Sequence, residues 1–275
     1  MVEVSLSLHL DVPGGFVSAG FDGDGWCFVR TTAPFGPAVD HIGFYRARFD
    51  PQRVAQLQRL YGALETAAGG DESPPDEPGV TFGTTRGSAP AAMHSATLRT
   101  LTASERAALD AASALVAELS ASPVAALAAS GALAAPSLPP SGPLRFSARF
   151  RSTGAEAARW LHAPAALGSG QGLASIEISG RAPGLALDAQ KQASAELSAR
   201  ALRLTKPDGT AVSAGREVST PVGDELVLTG ECALRLEPGH YRATLHVQLG
   251  EPDDADGSCV FGLWNVDLGE FEVKA

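Results

Sequence analysis

Strict alternation of apolar and polar residues at 2–12 constrains the fold of this chain more than any other feature. Positions 2, 4, 6, 8, 10 and 12 are Val or Leu, and the positions between them are Glu, Ser, Ser, His and Asp. Because successive side chains of a β-strand point to opposite faces, this pattern predicts a strand with one buried face. We expect it to pair with strands over 16–21 and 26–31, which short turns connect.

The rest of the first half of the sequence contains candidate strands and helices. Asp50 and Pro51 follow one candidate strand, and they predict a helix start because Asp caps a helix and Pro tolerates its first position. The sequence Thr-Ala-Ser-Glu at 102–105 is a capping box, which predicts a second helix. Ser-Pro at 122–123 favours a third. Strands mixed with helices in this way predict an α+β domain over residues 1–133.

Four prolines fall within residues 134–143, which predicts a linker because proline fits neither a helix interior nor a central strand. The sequence after it changes in character. "LRLTKPDGTAV" and "LRLEPGHYRATLHV" are alternating strands interrupted by Pro-Asp-Gly and Pro-Gly turns. They predict an antiparallel β-sandwich over residues 144–275. These segments resemble immunoglobulin-like and related sandwich modules, a resemblance of architecture that implies no particular function.

Charge disfavours nucleic acid as a partner. The chain has 21 Lys and Arg against 31 Asp and Glu, a net charge of −10. Binding a polyanion needs a concentrated basic surface, and by this sequence-based expectation no Lys/Arg cluster exceeds "RALR" at 200–203 in density. The sequence therefore predicts no nucleic-acid partner.

No segment predicts a membrane span. The longest apolar region, residues 107–135, is interrupted by Asp110, Glu118 and Pro123. Cysteine is present in an odd number and without a C-x-x-C motif, at Cys27, Cys232 and Cys259. That usage predicts reduced, buried thiols and a cytoplasmic protein.

The motif Asp-x-Asp-Gly-x-Cys occurs twice, at residues 22–27 and 254–259. Asp and Gly dominate tight turns for backbone reasons, so we interpret both as hairpin turns. Calcium is the alternative, since Asp oxygens are hard ligands, and a disulfide between the two Cys is another. The calcium ligands would be Asp22 and Asp24, or Asp253, Asp254 and Asp256. Neither place has the Asp spacing or the following Glu of the known calcium loop, so we predict no metal and no cofactor.

The best candidate binding site lies within "HYRATLHVQL". Strand alternation places Tyr241 and its partners inside, and it places one polar stripe outside, formed by His240, Arg242, Thr244, His246 and Gln248. A cationic, donor-rich stripe can bind a carboxylate, a phosphate or a sugar, with a charge that changes near neutral pH. An ordinary solvated sheet face is the alternative interpretation.

The remaining histidines and tryptophans favour structural roles. The histidines have no acidic or sulfur partner at ligand spacing, which indicates core or surface positions for His41, His94 and His162. The tryptophans are isolated in apolar contexts, which favours core positions over binding platforms for Trp26, Trp160 and Trp264.

Motifs of the common enzyme classes are absent from the sequence. It has no P-loop, no dinucleotide-binding G-x-G-x-x-G, no H-E-x-x-H and no nucleophile elbow. We therefore expect a non-catalytic protein that binds another protein through the sandwich or an acidic surface. One alternative is a small-molecule or carbohydrate-binding module that uses the His240 stripe. The other is an enzyme with an unrecognised site between the two domains, since catalytic groups need not be close in sequence.

Overall fold

The computed structural model describes residues 4–12, 15–21, 25–33, 41–62, 79–86, 92–162, 174–181, 191–197, 202–213, 215–233, 235–250 and 259–274. The chain divides into two compact units, Met1–Val124 and Ala125–Ala275. Strands are the commonest secondary structure among the described residues of both units, and those residues form two α-helices.

The first unit contains six strands and both helices. They are β1 (Val4–Val12), β2 (Gly15–Phe21), β3 (Trp26–Thr31), β4 (His41–Arg48), α1 (Pro51–Gly62), β5 (Gly79–Arg86), β6 (Ala92–Thr97) and α2 (Ala103–Leu119). The strands pair antiparallel in the order β4-β3-β2-β1-β5-β6. The predicted pairing of the first three strands is confirmed, with β1 at the centre between β2 and β5.

Both helices begin where the capping residues predict. Asp50 Oδ1 accepts backbone N–H groups of Gln52 and Arg53 at 2.9 and 3.0 Å. Thr102 caps α2 through the reciprocal bonds of a capping box with Glu105. Satisfying these N–H groups stabilises a helix by about 1 kcal/mol. The helices bury their apolar sides with one side of the sheet in a single core that includes Phe21, Val29, Val80, Leu115 and Val116.

The second unit is an all-β sandwich. Its strands are β7 (Pro123–Leu133, which begins at the unit boundary), β8 (Ser137–Leu138), β9 (Pro143–Ser152), β10 (Ala158–His162), β11 (Ala174–Arg181), β12 (Lys191–Leu197), β13 (Leu202–Thr205), β14 (Ala211–Val212), β15 (Arg216–Thr220), β16 (Glu225–Ala233), β17 (Gly239–Leu249) and β18 (Gly262–Val273).

These strands form two larger sheets and one hairpin-sized sheet. The first pairs antiparallel in the order β14-β13-β16-β9-β7. The second has the order β12-β11-β17-β18-β8, antiparallel except for the parallel contact between β18 and β8. The small sheet pairs β10 with β15. This order defines which side chains share an outward face, and it positions both candidate surfaces described below.

Every second residue of the long strands points into the interior of the sandwich. On β9 the buried residues are Leu144, Phe146, Ala148 and Phe150. On β17 they are Tyr241, Ala243, Leu245, Val247 and Leu249, as the sequence predicts. Removing a large apolar side chain from water contributes about 1.5–3 kcal/mol, so these inward rows account for much of the stability of the unit.

The helix predicted at 122–123 is wrong, because α2 ends at Leu119 and β7 begins at Pro123. Alanine-rich sequence favours a helix locally, but pairing of Leu127–Leu133 with β9 satisfies the same backbone groups in a sheet. Residues 134–143, the predicted linker, lie within the second unit. Among these residues the structure has the two-residue strand β8 and the first residue of β9, Pro143, because proline interrupts sheet pairing.

Candidate functional site

The predicted stripe lies on the outward side of β17. His240 and Arg242 are exposed, and Thr244 and His246 are half-buried. Successive members are about 7 Å apart along the strand. The structure therefore brings the four residues onto one surface, which we call the histidine face: these four side chains and the outward residues of β11 and β18 beside them.

Carboxylates from neighbouring strands line the same face. Register places Glu272 opposite His240, Glu270 opposite Arg242 and Asp267 opposite Thr244 on β18. On β11, Glu177 is opposite Thr244. The surface around the stripe therefore has mixed charge, because the strands on both sides supply these carboxylates.

Two members of the stripe already bond to these neighbours. Arg242 donates from Nε to Asp267 Oδ1 at 3.0 Å and from Nη2 to Asp267 Oδ2 at 2.6 Å. The hydrogen bond from Arg242 holds the pKa of Asp267 below its usual range, and the same bond raises the pKa of Arg242. His246 Nδ1 lies 2.7 Å from Asn265 Oδ1, and its Nε2 lies 3.3 Å from Glu177 Oε2.

A shallow groove opens at the other end of the histidine face. It has a volume of about 440 Å³, and its polar lining includes Ser179, His240, Arg242, Glu270 and Glu272. Gly180 lies in its floor, where an added Cβ would meet the carbonyl oxygen of His240 at 2.5 Å. The groove offers both donors and acceptors, the mixture that hydroxyl-rich ligands require.

The opposite sheet carries a second charged surface, which the sequence predictions missed. Its outward residues on β9 are Arg145, Ser147, Arg149 and Arg151, and the arginines are exposed. On β16 the outward residues are Glu225, Val227, Thr229 and Glu231, and on β13 they are Arg203 and Thr205. We call these ten residues the arginine face. Four arginines against two glutamates give it a net charge of +2 on a chain of net charge −10.

Half of the arginines on this face have a carboxylate partner. Arg145 Nε donates to Glu231 Oε2 at 2.7 Å, and Arg149 Nη1 donates to Glu225 Oε1 at 2.7 Å. Within the part of the chain that the structure describes, the guanidinium groups of Arg151 and Arg203 form no ion pair or hydrogen bond. Their positive charges are therefore available to a partner molecule.

The sequence contains the signal for this face in "LRFSARFRS" at 144–152. Alternation there separates buried Leu, Phe and Ala from outward Arg, Ser, Arg and Arg. The expectation that "RALR" is the densest basic cluster overlooks this, because it counts neighbours in sequence. Residues two apart on a strand are neighbours on one face, whereas adjacent residues point apart.

Other predicted positions fall as follows. His162 is half-buried beside the Trp160 indole, with ring centroids 6.1 Å apart, and desolvation lowers its pKa. Trp160 and Trp264 are buried, which confirms core positions, whereas Trp26 is partly exposed under the guanidinium of Arg46. The backbones of His41 and His94 lie in β4 and β6.

The cysteine prediction is confirmed: Cys27, Cys232 and Cys259 are all buried, and none of them forms a disulfide. Burial raises the pKa of Cys232 to about 11, and the nearby Glu231 charge acts in the same direction. A thiol that stays protonated at neutral pH is a poor nucleophile and a poor metal ligand.

The Asp residues of the paired motifs, Asp22, Asp24 and the set Asp253, Asp254 and Asp256, lie outside the described residues. Both motifs connect consecutive antiparallel strands, β2 to β3 and β17 to β18. Gly25 has φ +85°, a conformation that favours glycine in a turn. Among residues that the structure does describe, no group of three His, Cys, Asp or Glu side chains is placed to hold a metal ion.

No family model matches the chain, and no curated protein matches it. Similar solved structures include a protein named ApaA from Bordetella pertussis, AvmM, which catalyses macrocyclization in alchivemycin A biosynthesis, and a β-glucosidase from Listeria innocua in complex with glucose. Their identities are 13%, 13% and 11%, and their TM-scores are 0.25, 0.27 and 0.22. Each match covers 54% of this chain, with 89% of the first two chains and 17% of the third. Likeness at this level carries no functional conclusion.

Helices long and apolar enough to cross a membrane are absent from the described part of the chain.

Proposed function

We propose that this chain is a non-catalytic binding protein that contacts a protein partner through the arginine face. The observation that carries the proposal is the net charge of +2 on a face of a chain whose net charge is −10. Exposed arginines are enriched in protein interfaces, because the guanidinium group binds carboxylates with defined geometry and also packs against apolar surface.

The glutamates on this face favour a protein as the bound molecule over a polyanion such as a nucleic acid. Glu225 and Glu231 lie among the arginines and would repel a continuous phosphate backbone. A protein surface can instead present acidic side chains to Arg151 and Arg203 and polar groups to the ion pairs. Complementary charge of this kind sets the choice of partner and the rate of association more than it sets affinity.

Affinity capture with matched variants tests the proposal. The wild-type protein, an Arg151→Glu/Arg203→Glu double variant and an Arg216→Glu control are immobilised and exposed to the same lysate. Arg216 is an exposed arginine of β15, outside both larger sheets. We expect one protein to be retained at a stoichiometric amount by the wild type and the control and lost from the double variant. Equal retention by all three, or by none, would reject the arginine face as the contact surface.

A second candidate function is small-molecule or carbohydrate binding at the histidine face. The groove beside His240, with Arg242, Glu270 and Glu272 in its lining, supports this candidate. Sugars need closely spaced donors and acceptors, which this groove supplies. Titration with simple sugars, observed by calorimetry for the wild type and His240→Ala, distinguishes it: binding that the substitution weakens supports the candidate.

The proposal also includes location and fold details. We place the protein in the cytoplasm, since buried cysteines outside disulfides suit a reducing compartment. We assign the first unit to the α+β class, because two helices cover a six-stranded antiparallel sheet. We assign the sandwich an immunoglobulin-like general architecture, because two antiparallel sheets enclose its core.

A further inference from the structure

We infer that the arginine face binds an extended acidic segment whose carboxylates lie four residues apart. This inference rests on the proposed function and names the chemistry of the partner. It depends on three features of the face: a row of small side chains, the positions of the two unpaired arginines, and the distance between them.

A row of small residues crosses the sheet and ends at an arginine. Register aligns Arg203 with Thr229, Thr229 with Ser147, and Ser147 with Ala132 of β7. The Arg145–Glu231 ion pair borders this row, and the shallow groove there has a volume of about 480 Å³. A row of small side chains between longer ones is a trough. The Ser147 hydroxyl in its floor can donate to an oxygen ligand, whereas the Thr229 hydroxyl donates to the Arg203 carbonyl at 3.4 Å.

The two unpaired arginines lie at separate places on the face. Arg203 is in the row of Ser147, and Arg151 is four residues further along β9 and two strands away. With strands about 4.8 Å apart and residues about 3.3 Å apart along a strand, their Cα atoms are about 16 Å apart. One carboxylate cannot contact both, so two acidic groups are required.

An extended peptide matches this distance at one spacing. Residues four apart on an extended chain point to the same side and are about 13 Å apart, and the long arginine side chains span the difference. Adjacent residues point to opposite sides, so only one of two neighbouring carboxylates can face the sheet. The face therefore discriminates by spacing as well as by charge.

A peptide titration tests the inference directly. The probes are nine-residue, serine-rich peptides with a fluorescent label: one with two glutamates four positions apart, one with two adjacent glutamates, and one with glutamines at the four-apart positions. Binding is measured by fluorescence anisotropy at low and physiological salt. We expect the four-apart peptide to bind about fivefold more tightly than the adjacent one, since one more charged pair forms.

Variants connect this preference to named residues. Arg203→Gln and Arg151→Gln should each remove the preference for the four-apart peptide, whereas the Arg216→Gln control should keep it. Circular dichroism confirms that each variant is folded. Equal binding of both acidic peptides, no binding of either, or stronger binding of a single-stranded oligonucleotide of equal charge would overturn the inference.

The outcome is distinguishable from failure of the proposed function. Suppose affinity capture still depends on Arg151 and Arg203 while the peptides show no spacing preference. The arginine face is then the contact surface, and the extended acidic segment is rejected. If capture does not depend on these arginines, the proposed function itself fails.

Discussion

The two outward faces of the sandwich are both rich in polar donors, but they differ in what neighbouring strands supply. On the histidine face, Arg242 is held by Asp267, and His246 lies between Asn265 and Glu177. On the arginine face, the ion pairs formed among the described residues are those of Arg145 and Arg149.

The difference teaches that a strand's own pattern does not determine the charge of a sheet face. Alternation predicts which residues of one strand point outward, and it does so correctly for both faces. Whether their charges remain available depends on which side chains the carboxylates of the adjacent strands bind. Asp267 binds Arg242. Glu225 lies directly opposite Arg151 but accepts from Arg149, which leaves Arg151 without an ion pair among the described residues.

The largest expected effect concerns the glycines beneath the two faces. An added Cβ at Gly180 meets the backbone of Tyr241 and His240, at 2.9 Å from Cα and 2.5 Å from the carbonyl oxygen. At Gly230 it meets only side chains, those of Phe146 and Leu202. Since backbone cannot move aside easily, we expect Gly180→Ala to lower the free energy of unfolding by about 3 kcal/mol and Gly230→Ala by about 1 kcal/mol. Urea unfolding measures both, and a larger loss at Gly230 would contradict this account of the packing.

Removing the carboxylate that binds an arginine tests whether the two faces differ in the positive charge they offer to a ligand. Glu231→Gln frees Arg145 on the arginine face, where the neighbouring free charge is positive, and we expect acidic peptide to bind about threefold more tightly. Asp267→Asn frees Arg242 on the histidine face, but Glu270 and Glu272 remain beside it. No gain in peptide binding is expected there. A gain from Asp267→Asn equal to that from Glu231→Gln would show that the faces are equivalent.

A smaller effect is expected from pH, through His162. Burial lowers its pKa in the folded protein, so below about 6.5 the unfolded chain binds a proton more readily than the folded protein does. Stability should therefore fall as the pH drops from 6.5 toward the lowered pKa. We expect His162→Gln to lose less stability than the wild type between pH 7 and 5, as measured by urea midpoints. Parallel losses in the two proteins would show that other groups cause the acid sensitivity.

Much of the fold was predictable from local patterns. Alternation located β1, β13 and β17, and the capping residues Asp50 and Thr102 located both helix starts. The failure at β7 has a physical cause, since an alanine-rich segment has a helical preference that pairing with β9 outweighs. Local sequence carries no information about that pairing.

For the candidate site, the sequence predicted the outward residues of β17 but not the residues that bond them. The four predicted residues of the histidine face share one surface, as alternation requires, yet the carboxylates that bond Arg242 and His246 lie on other strands, β18 and β11. Glu177 lies 69 residues from His246. The arginine face was within reach of the same reasoning applied to residues 144–152, and only the free state of Arg151 and Arg203 needed the structure.

Arginine footprinting of the wild-type protein with its captured partner tests the central claim most directly. Phenylglyoxal modifies exposed guanidinium groups, and mass spectrometry reports the modified fraction at each arginine with and without the partner. We expect the partner to protect Arg151 and Arg203 and to leave Arg216 and Arg242 unchanged. Protection of Arg242, with Arg151 and Arg203 modified as in the free protein, would place the contact on the histidine face and contradict the account.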